Sequence, residues 1–245
     1  MNPSEKTKFI SNWIKLYVDQ MPVKAQTLVV GISGGIDSSV SSTLSAMTAM
    51  KTIVLSMPIR QKDNQHDLSL KHQEWLIKNF KNVEAHTINL DKLFESFSST
   101  LEKFDNEHGY ANSRARLRMT TLYQVAAANR GIVVGTGNKV EDFGVGFYTK
   151  YGDGGVDISP IADCNKTEVW ELGKELGILK EIIDAPPTDG LWDDGRTDEG
   201  QLGLKYSELE EAMSNPKSLN REKFEKIRKL NLHKMKPIPI CKIPN

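Results

Sequence analysis

The sequence predicts an α/β protein with a Rossmann-like open parallel β-sheet, helices on both faces, and a single domain over residues 1–245. Short apolar segments alternate along the chain with longer segments of helical periodicity, which is the order of elements in a parallel sheet. A glycine-rich turn joins the first apolar segment to the helix that follows it. A chain of 245 residues is also long enough to bury a sizeable core.

The predicted strands are short runs of aliphatic and β-branched residues, the composition that buried parallel strands prefer. They cover residues 28–32, 52–57, 83–89 and 131–136. The predicted helices have apolar residues three and four positions apart or contain no helix breaker. They cover residues 6–19, 38–50, 66–80, 93–104, 113–129, 165–176, 206–214 and 218–230. A C-terminal tail, residues 231–245, ends in a proline-rich stretch that cannot be helical.

The composition excludes several classes of protein. Lysine plus arginine total 32 and aspartate plus glutamate also total 32, so the net charge is zero. That balance argues against binding to nucleic acid or to an anionic membrane surface. The two cysteines, Cys164 and Cys241, are far apart and form no zinc-binding pattern. The N-terminus is polar, and no apolar run reaches membrane-spanning length, so we expect a cytoplasmic protein.

A phosphate-binding loop is predicted at residues 33–38, Ser-Gly-Gly-Ile-Asp-Ser, between the first strand and its helix. Free backbone N–H groups and the helix dipole favour an anion at such a helix N-terminus. The loop is neither a Walker loop nor a dinucleotide fingerprint, since neither pattern occurs in the chain. The alternative is a tight turn in which Asp37 or Ser38 caps the helix. Its place between a strand and a helix favours phosphate binding.

Ligands of an open parallel sheet bind beyond the carboxyl ends of its strands. The candidate ligand-binding segments are therefore residues 33–38, 57–67 and 136–157. The last of these is a long segment that combines many glycines with acidic, lysine and aromatic residues. A disordered linker rarely interleaves aromatic side chains in this way, so we predict an ordered ligand-binding loop.

The loop at residues 33–38 resembles the pyrophosphate loop of the N-type ATP pyrophosphatases, which split ATP into AMP and pyrophosphate. A more specific resemblance is to the ammonia-dependent NAD synthetases. It rests on Gly-Thr-Gly-Asn-Lys-Val-Glu at 135–141 and Phe-Tyr-Thr-Lys-Tyr-Gly-Asp-Gly-Gly-Val-Asp at 147–157. Matching segments also occur at 114–119, 166–169, 187–192, 197–203 and 233–234, so the resemblance covers most of the chain.

This resemblance implies a two-step reaction. The nicotinic acid carboxylate of deamido-NAD attacks the α-phosphorus of ATP, and ammonia then displaces AMP to form NAD. It also implies Mg²⁺ as cofactor, ATP as co-substrate and a homodimer. No glutamine-hydrolysing region is recognised, so we expect free ammonia as the nitrogen donor, unless a separate subunit delivers it from glutamine. Residues 136–157 and 186–200 are then the substrate loops.

The resemblance also implies roles for individual residues. Asp37 and Glu141 are the implied magnesium ligands, in keeping with the preference of this cation for oxygen. Asp37 and Lys166 are the implied catalytic residues. ATP is implied to contact Ser33, Gly34, Gly35, Asp37, Ser38, Met57, Arg116, Thr136, Lys166 and Thr188. Deamido-NAD is implied to contact Asn112, Lys150, Asp153, Asp157, His233 and Lys234. The chain departs from the family at Gly137, where some members carry an aspartate.

Two other classes of protein remain as alternatives. Another pyrophosphatase-type enzyme, such as a GMP synthetase or a tRNA-thiolating enzyme, needs a purine-substrate domain or paired cysteines with a basic surface. The distant cysteines and zero net charge fit neither of these. A regulatory module that senses ATP without turnover needs neither a magnesium pair nor a long polar substrate loop.

Overall fold

The structure, a computed structural model, describes residues 1–60, 63–188, 191 and 197–243. Its sheet contains the strands β1 (Thr27–Gly31), β2 (Lys51–Ser56), β3 (Val83–Thr87) and β4 (Gly131–Val134). Their order is β3-β2-β1-β4, and every pair is parallel. This arrangement confirms the predicted open parallel sheet. A parallel bridge between Val134 and Ile158 extends the pairing beyond β4.

Helices cover both faces of this sheet, as the alternation of apolar segments predicts. The α-helices of the described residues are, in chain order, α1 (Pro3–Gln20), α2 (Ile36–Met47), α3 (Asp63–Asn79), α4 (Asp91–Thr100), α5 (Glu107–Ala128), α6 (Lys166–Glu175), α7 (Lys180–Ile183), α8 (Asp198–Leu202), α9 (Tyr206–Ser214) and α10 (Arg221–Met235). The last helix continues five residues beyond its predicted end, so the non-helical tail starts at Lys236. No helix among the described residues is long and apolar enough to cross a membrane.

Side chains that alternate along β1 pack on opposite faces of the sheet, as the period of two in a strand requires. Val29 joins a cluster that includes Phe94 of α4 and Leu122 of α5. Leu28 and Val30 join the other cluster, which contains residues of α1, α2 and α6. Burial on both faces explains why β1 is a continuous apolar run rather than an alternating pattern.

A third apolar cluster lies outside the two sheet faces and joins α8, α9 and α10 to a π-helical segment, Lys139–Val145. The sequence predicted this stretch only as part of the loop 136–157. Asn138 begins the segment, because its side-chain oxygen accepts hydrogen bonds from the backbone N–H groups of Val140 and Glu141. Arg228 and Asn231 of α10 donate to backbone carbonyls of residues 143–145 and hold the segment in place.

Candidate active site

The candidate site lies where the strand order reverses, between β1 and β4. In open α/β sheets this switch point forms the crevice in which ligands bind. Here it opens into a cavity of about 410 Å³, which we call the central cavity. Its walls come from the loops after β1 and β4, from α5, and from the described residues of the 185–198 region.

The loop at residues 33–38 is held in shape by its own hydroxyl groups. Ser38 Oγ accepts a hydrogen bond from the Ser33 backbone N–H at 3.2 Å and donates to the Gly35 carbonyl at 3.0 Å. Gly34 has φ of 92°, a conformation that glycine adopts readily. Gly35 is the N-cap of α2 and no side chain caps it. The capping role considered for Asp37 and Ser38 is therefore wrong, and the anion-binding interpretation of the helix start remains.

One buried cation joins two carboxylates at the floor of the central cavity. Lys166 Nζ lies 2.6 Å from Asp37 Oδ2 and 2.9 Å from Glu141 Oε1, and the lysine side chain is 2% exposed. The three residues come from α6, α2 and the π-helical segment. Asn138 donates to the other oxygen of Asp37 at 3.2 Å, so that carboxylate is held from two sides.

The electrostatics of this cluster favour additional positive charge. Burial raises the pKa of Asp37 against the attraction of Lys166. Burial alone lowers the pKa of Lys166, but the attraction of Asp37 and Glu141 outweighs it and raises this pKa above its ordinary value. Two carboxylates thus share one ammonium group. A donor set of this kind suits a cation of higher charge.

Tyr206 also contacts this cluster, and no sequence pattern predicted it. Its hydroxyl donates to Glu141 Oε1 and lies 3.2 Å from Asp198 Oδ2. Lys166 Nζ lies 4.8 Å from the centroid of the tyrosine ring. Nothing in the local sequence distinguishes Tyr206 from an ordinary core aromatic residue at the start of a helix.

Asp142 was also missed, although the sequence carried a signal for it at Gly137. A Cβ atom on Gly137 would lie 1.9 Å from Asp142 Oδ2, so this carboxylate fills the space that a side chain at 137 would need. Burial, together with the nearby charges of Asp153 and Glu141, raises the pKa of Asp142 well above its usual range. An acidic group therefore faces the cavity from position 142.

The residues predicted to bind ATP lie together around the central cavity, with one exception. Those in its lining are Ser33, Gly34, Gly35, Asp37, Ser38, Met57, Thr136, Lys166 and Thr188. Arg116 is outside the lining, and its Nε donates to the Lys150 carbonyl at 3.1 Å. Arg118 does line the cavity, with its Nε 3.0 Å from the Met57 carbonyl oxygen. Residues 189, 190 and 192–196 of the predicted loop 186–200 lie outside the described residues.

The residues predicted to bind deamido-NAD do not converge in the same way, since only Asp153 lines the central cavity. Asp157 uses its carboxylate in the fold: Oδ2 accepts from the Val133 N–H at 2.7 Å and Oδ1 from the Tyr123 hydroxyl at 2.9 Å. Asn112 accepts from the Thr149 hydroxyl at 2.6 Å.

The remaining predicted deamido-NAD residues lie at the surface or against the chain itself. The Lys150 ammonium lies 5.4 Å from the centroid of the Tyr151 ring. Lys234 donates to the Tyr148 carbonyl at 2.6 Å, and burial lowers its pKa. His233 is exposed on α10. The roles of these residues toward a substrate stay predictions.

No group of three or more histidine, cysteine, aspartate or glutamate side chains among the described residues is arranged to hold a metal ion. Asp37 and Glu141 nevertheless already converge on one cation, the Lys166 ammonium. Magnesium in phosphate-processing sites is commonly held by one or two carboxylates, with substrate phosphates and water completing its shell. The donor set therefore fits a magnesium ion that arrives with a nucleotide.

A glycine-rich loop at a helix N-terminus, beside two carboxylates at the switch point of a parallel sheet, defines a nucleotide-binding protein of the open α/β class. Within that class, a family model described as NAD synthase matches residues 6–243. The chain belongs to this family.

Individual relatives agree with the family. The chain is 37% identical over 216 residues to the NH₃-dependent NAD⁺ synthetase of Carboxydothermus hydrogenoformans, covering 86% of this chain and 85% of that one. A solved structure named as an NMN synthetase, from Francisella tularensis, is 33% identical, with a TM-score of 0.88 over 100% of this chain and 99% of that one. The NH₃-dependent NAD synthetase of Campylobacter jejuni shares the fold, with a TM-score of 0.80 at 24% identity over 99% and 100% of the two chains.

Proposed function

We propose that this chain is an ammonia-dependent NAD synthetase, which uses ATP to convert the carboxylate of deamido-NAD into the amide of NAD. The observation that carries this proposal is the cluster of Lys166, Asp37 and Glu141 beneath the phosphate-binding loop, in a chain of the NAD synthase family. AMP and pyrophosphate are the other products. The reaction belongs to the biosynthesis of NAD.

The chemistry needs activation of the carboxylate, because its oxygen is a poor leaving group. Attack of that oxygen on the α-phosphorus of ATP breaks the bond to pyrophosphate and forms an adenylated intermediate. Ammonia then adds to the acyl carbon, AMP leaves with the oxygen, and the nitrogen gives up a proton. The first step brings two anions together and the second releases AMP as an anion, so the site must neutralise negative charge in both transition states.

The residues around the central cavity can supply this neutralisation. Backbone N–H groups and hydroxyls of Ser33–Ser38 bind the pyrophosphate half of ATP at the N-terminus of α2. Lys166 stabilises charge on the phosphates with its ammonium group, which the attraction of Asp37 and Glu141 keeps protonated despite burial. Asp37 and Glu141 hold Mg²⁺, which when bound screens the charge between the two anionic substrates.

An apolar floor beside the loop suits a nucleotide base. A Cβ on Gly31 would lie 3.4 Å from a Leu122 methyl group and 3.5 Å from the Met57 terminal methyl group. Leu122 and Met57 therefore pack against Gly31, and all three residues line the central cavity, where the adenine ring of ATP can lie against them. Thr136, after β4, borders the same cavity.

A homodimer is part of this proposal. Helix α1 exposes an apolar stripe at Phe9, Trp13, Leu16 and Tyr17, with the rings of Trp13 and Tyr17 5.9 Å apart. Trp13 follows Phe9 by four positions, and Leu16 and Tyr17 follow Trp13 by three and four, so the four side chains share one helix face. Exposed apolar stripes of this size commonly mark protein interfaces. We propose that a second copy of the chain covers the stripe, and that the enzyme acts in the cytoplasm.

A second candidate function is amidation of nicotinic acid mononucleotide to NMN. The observation that favours it is the likeness to the Francisella tularensis structure, which spans nearly the full length of both chains at 33% identity. The adenylation chemistry is the same for both substrates. They differ in whether the site also binds the AMP half of a dinucleotide. Five of the six residues predicted to bind deamido-NAD lie outside the lining of the central cavity.

Turnover of the purified protein with ATP, Mg²⁺ and ammonium chloride distinguishes the two candidates. Deamido-NAD and nicotinic acid mononucleotide are supplied separately, and the amide product and AMP are quantified together. Equimolar NAD and AMP with a higher kcat/KM for deamido-NAD supports NAD synthetase. A higher kcat/KM for the mononucleotide supports NMN synthetase, and AMP without either amide contradicts both.

The roles of the two carboxylates can be tested in the same assay. Asp37→Asn and Glu141→Gln should each lower kcat by about 100-fold or more, since each removes a carboxylate proposed to hold the Mg²⁺ that neutralises charge in the transition state. Asp163→Asn is a matched control, because that side chain is 96% exposed and pairs with Lys139. Turnover that survives both Asp37→Asn and Glu141→Gln contradicts the metal-binding role.

A further inference from the structure

Tyr206 is held rigidly at the start of α9. It is 1% exposed, and its ring packs edge-on against Trp170 with the centroids 5.9 Å apart and an interplanar angle of 86°. Its backbone N–H donates to Glu199 Oε1 of α8 at 3.0 Å. The orientation of the hydroxyl is therefore set by the packing of the ring and by the hydrogen bond that joins α9 to α8.

The Tyr206 side chain contacts two charged groups of the candidate metal site, the Glu141 carboxylate and the Lys166 ammonium. The phenol hydroxyl donates to Glu141 Oε1, the same oxygen that accepts from Lys166 Nζ at 2.9 Å. The ring lies beside the Lys166 ammonium, 4.8 Å from centroid to Nζ. Two donors from different elements thus meet on one oxygen of Glu141.

A glutamate side chain has three rotatable bonds, so its carboxylate must lose rotational freedom before it can hold a metal in a defined position. Lys166 alone cannot supply a lasting restraint, because its ammonium is also needed at the ATP phosphates. A neutral hydroxyl on a buried ring can hold the carboxylate without competing with the metal for negative charge. Hydrogen bonds of this kind to metal ligands orient them and tune metal affinity.

We propose that Tyr206 is a positioning residue, whose hydroxyl fixes the Glu141 carboxylate in the orientation in which it binds Mg²⁺ together with Asp37. This inference rests on the proposed function, because it takes Glu141 to be a metal ligand. The proposal gives the apolar cluster of α8, α9 and α10 a role in the candidate site. Helix α9 begins at Tyr206 and so supplies a hydroxyl group that the sheet and its loops do not provide.

The variant Tyr206→Phe separates the hydroxyl from the ring. Phenylalanine keeps the packing against Trp170 and the ring beside Lys166, and removes the hydrogen bond to Glu141. Tyr110→Phe is a matched control, since the Tyr110 hydroxyl donates to the carbonyls of Ser98 at 3.1 Å and Leu101 at 3.2 Å. That tyrosine is not part of the central cavity.

The test measures metal binding without turnover. Mn²⁺ is titrated into protein saturated with α,β-methylene-ATP, in which the bond to be broken cannot react, and water-proton relaxation reports the bound ion against a nucleotide-only blank. We expect Tyr206→Phe to weaken Mn²⁺ binding by about 10- to 100-fold and Tyr110→Phe to leave it unchanged. In turnover assays the Mg²⁺ requirement should rise, while KM for the nicotinate substrate stays the same.

A double-mutant cycle with Glu141→Gln completes the experiment. If Tyr206 acts through Glu141, adding Tyr206→Phe to Glu141→Gln causes no further loss of Mn²⁺ affinity. Equal affinity in Tyr206→Phe and the unaltered protein overturns the positioning role, and so does an additive loss in the double variant. If the unaltered protein binds no Mn²⁺ beyond the blank, the metal assignment in the proposed function fails, and this inference fails with it.

Discussion

The Lys166 ammonium lies 2.6 Å from Asp37 Oδ2, although the two residues are 129 positions apart in the chain. The same ammonium reaches Glu141 at 2.9 Å, so one lysine bridges the two carboxylates proposed to bind magnesium. Removing one partner from a buried ion pair leaves uncompensated charge, which is far more costly than removing an exposed pair. We therefore expect Lys166 to contribute to folding in addition to the role proposed for it in the reaction.

Lys166→Met should lower the free energy of unfolding by about 3–5 kcal/mol in the absence of metal, because it leaves Asp37 and Glu141 facing each other without a cation. Mg²⁺ alone should then raise the unfolding midpoint of this variant more than that of the unaltered protein. Urea unfolding with and without Mg²⁺ measures both effects. Lys71→Met, which removes only an exposed pair with Glu181, is the control and should change little. Equal losses in the two variants would contradict the role given to Lys166.

His72 should make the protein sensitive to acid. This residue is buried between α2 and α3, where Ser42 Oγ lies 3.0 Å from its Nε2, and burial lowers the pKa of His72 to about 4. The unfolded chain takes up its proton near pH 6.5 and the folded chain only near pH 4, so between these values the unfolded state binds more protons. The resulting stability is full above pH 6.5 and is lost as the pH falls toward 4.

The size of this effect follows from the difference between the two pKa values, which corresponds to about 3 kcal/mol at 1.36 kcal/mol per unit. Urea unfolding at a series of pH values between 4 and 7 measures the slope. The variant His72→Gln lacks the titrating group, so its free energy of unfolding should depend less on pH over this range. A slope as steep as that of the unaltered protein would show that other groups cause it.

Gly137→Ala should destabilise the protein through a clash with Asp142. The new Cβ would lie 1.9 Å from Asp142 Oδ2 and 2.4 Å from its Cγ, so the carboxylate must leave its place. We expect a loss of about 1–3 kcal/mol in unfolding free energy, as for other overpacked sites. Most of it should be recovered in the double variant Gly137→Ala, Asp142→Ala. Additive effects of the two substitutions would show that the side chains do not compete for one space.

Asp157 should matter for stability more than for substrate affinity. Its carboxylate accepts from the Val133 N–H and from the Tyr123 hydroxyl, and so ties the end of the 136–157 segment to β4 and α5. Asp157→Ala should cost about 1–3 kcal/mol, because the N–H of a buried strand loses its acceptor. Thermal unfolding together with KM for the nicotinate substrate measures both roles. A raised KM with unchanged stability would instead support direct contact with deamido-NAD.

Local sequence was sufficient for much of the fold and for one wall of the site. The apolar run of β1 and the glycine-rich residues 33–38 predict a strand, a turn and a helix start from neighbours in the chain, and the structure places them so. The parallel sheet followed from the alternation of elements. The start of α6 was also local, since the Glu168 carboxylate accepts a hydrogen bond from the Asn165 backbone N–H three positions earlier in the chain.

Tertiary structure decided how the charged groups combine. Tyr206 and Glu141 are 65 positions apart, and Tyr206 reaches the site only because α9 packs on the π-helical segment. Arg118 rather than Arg116 lines the central cavity because α5 turns one of the two toward Met57. Asp157, predicted to meet a substrate, is engaged by the backbone of β4.

The sequence by itself determined the class of fold, the family and the residue types at the phosphate-binding loop, because these depend on local periodicity and on short motifs. The sequence could not determine which side chains form hydrogen bonds or ion pairs with one another, or which compete for the same space. Those contacts depend on the packing of distant helices, and their energies on burial that no stretch of sequence displays. In this protein the association of Asp37, Glu141, Lys166 and Tyr206 arises only when four separate elements meet.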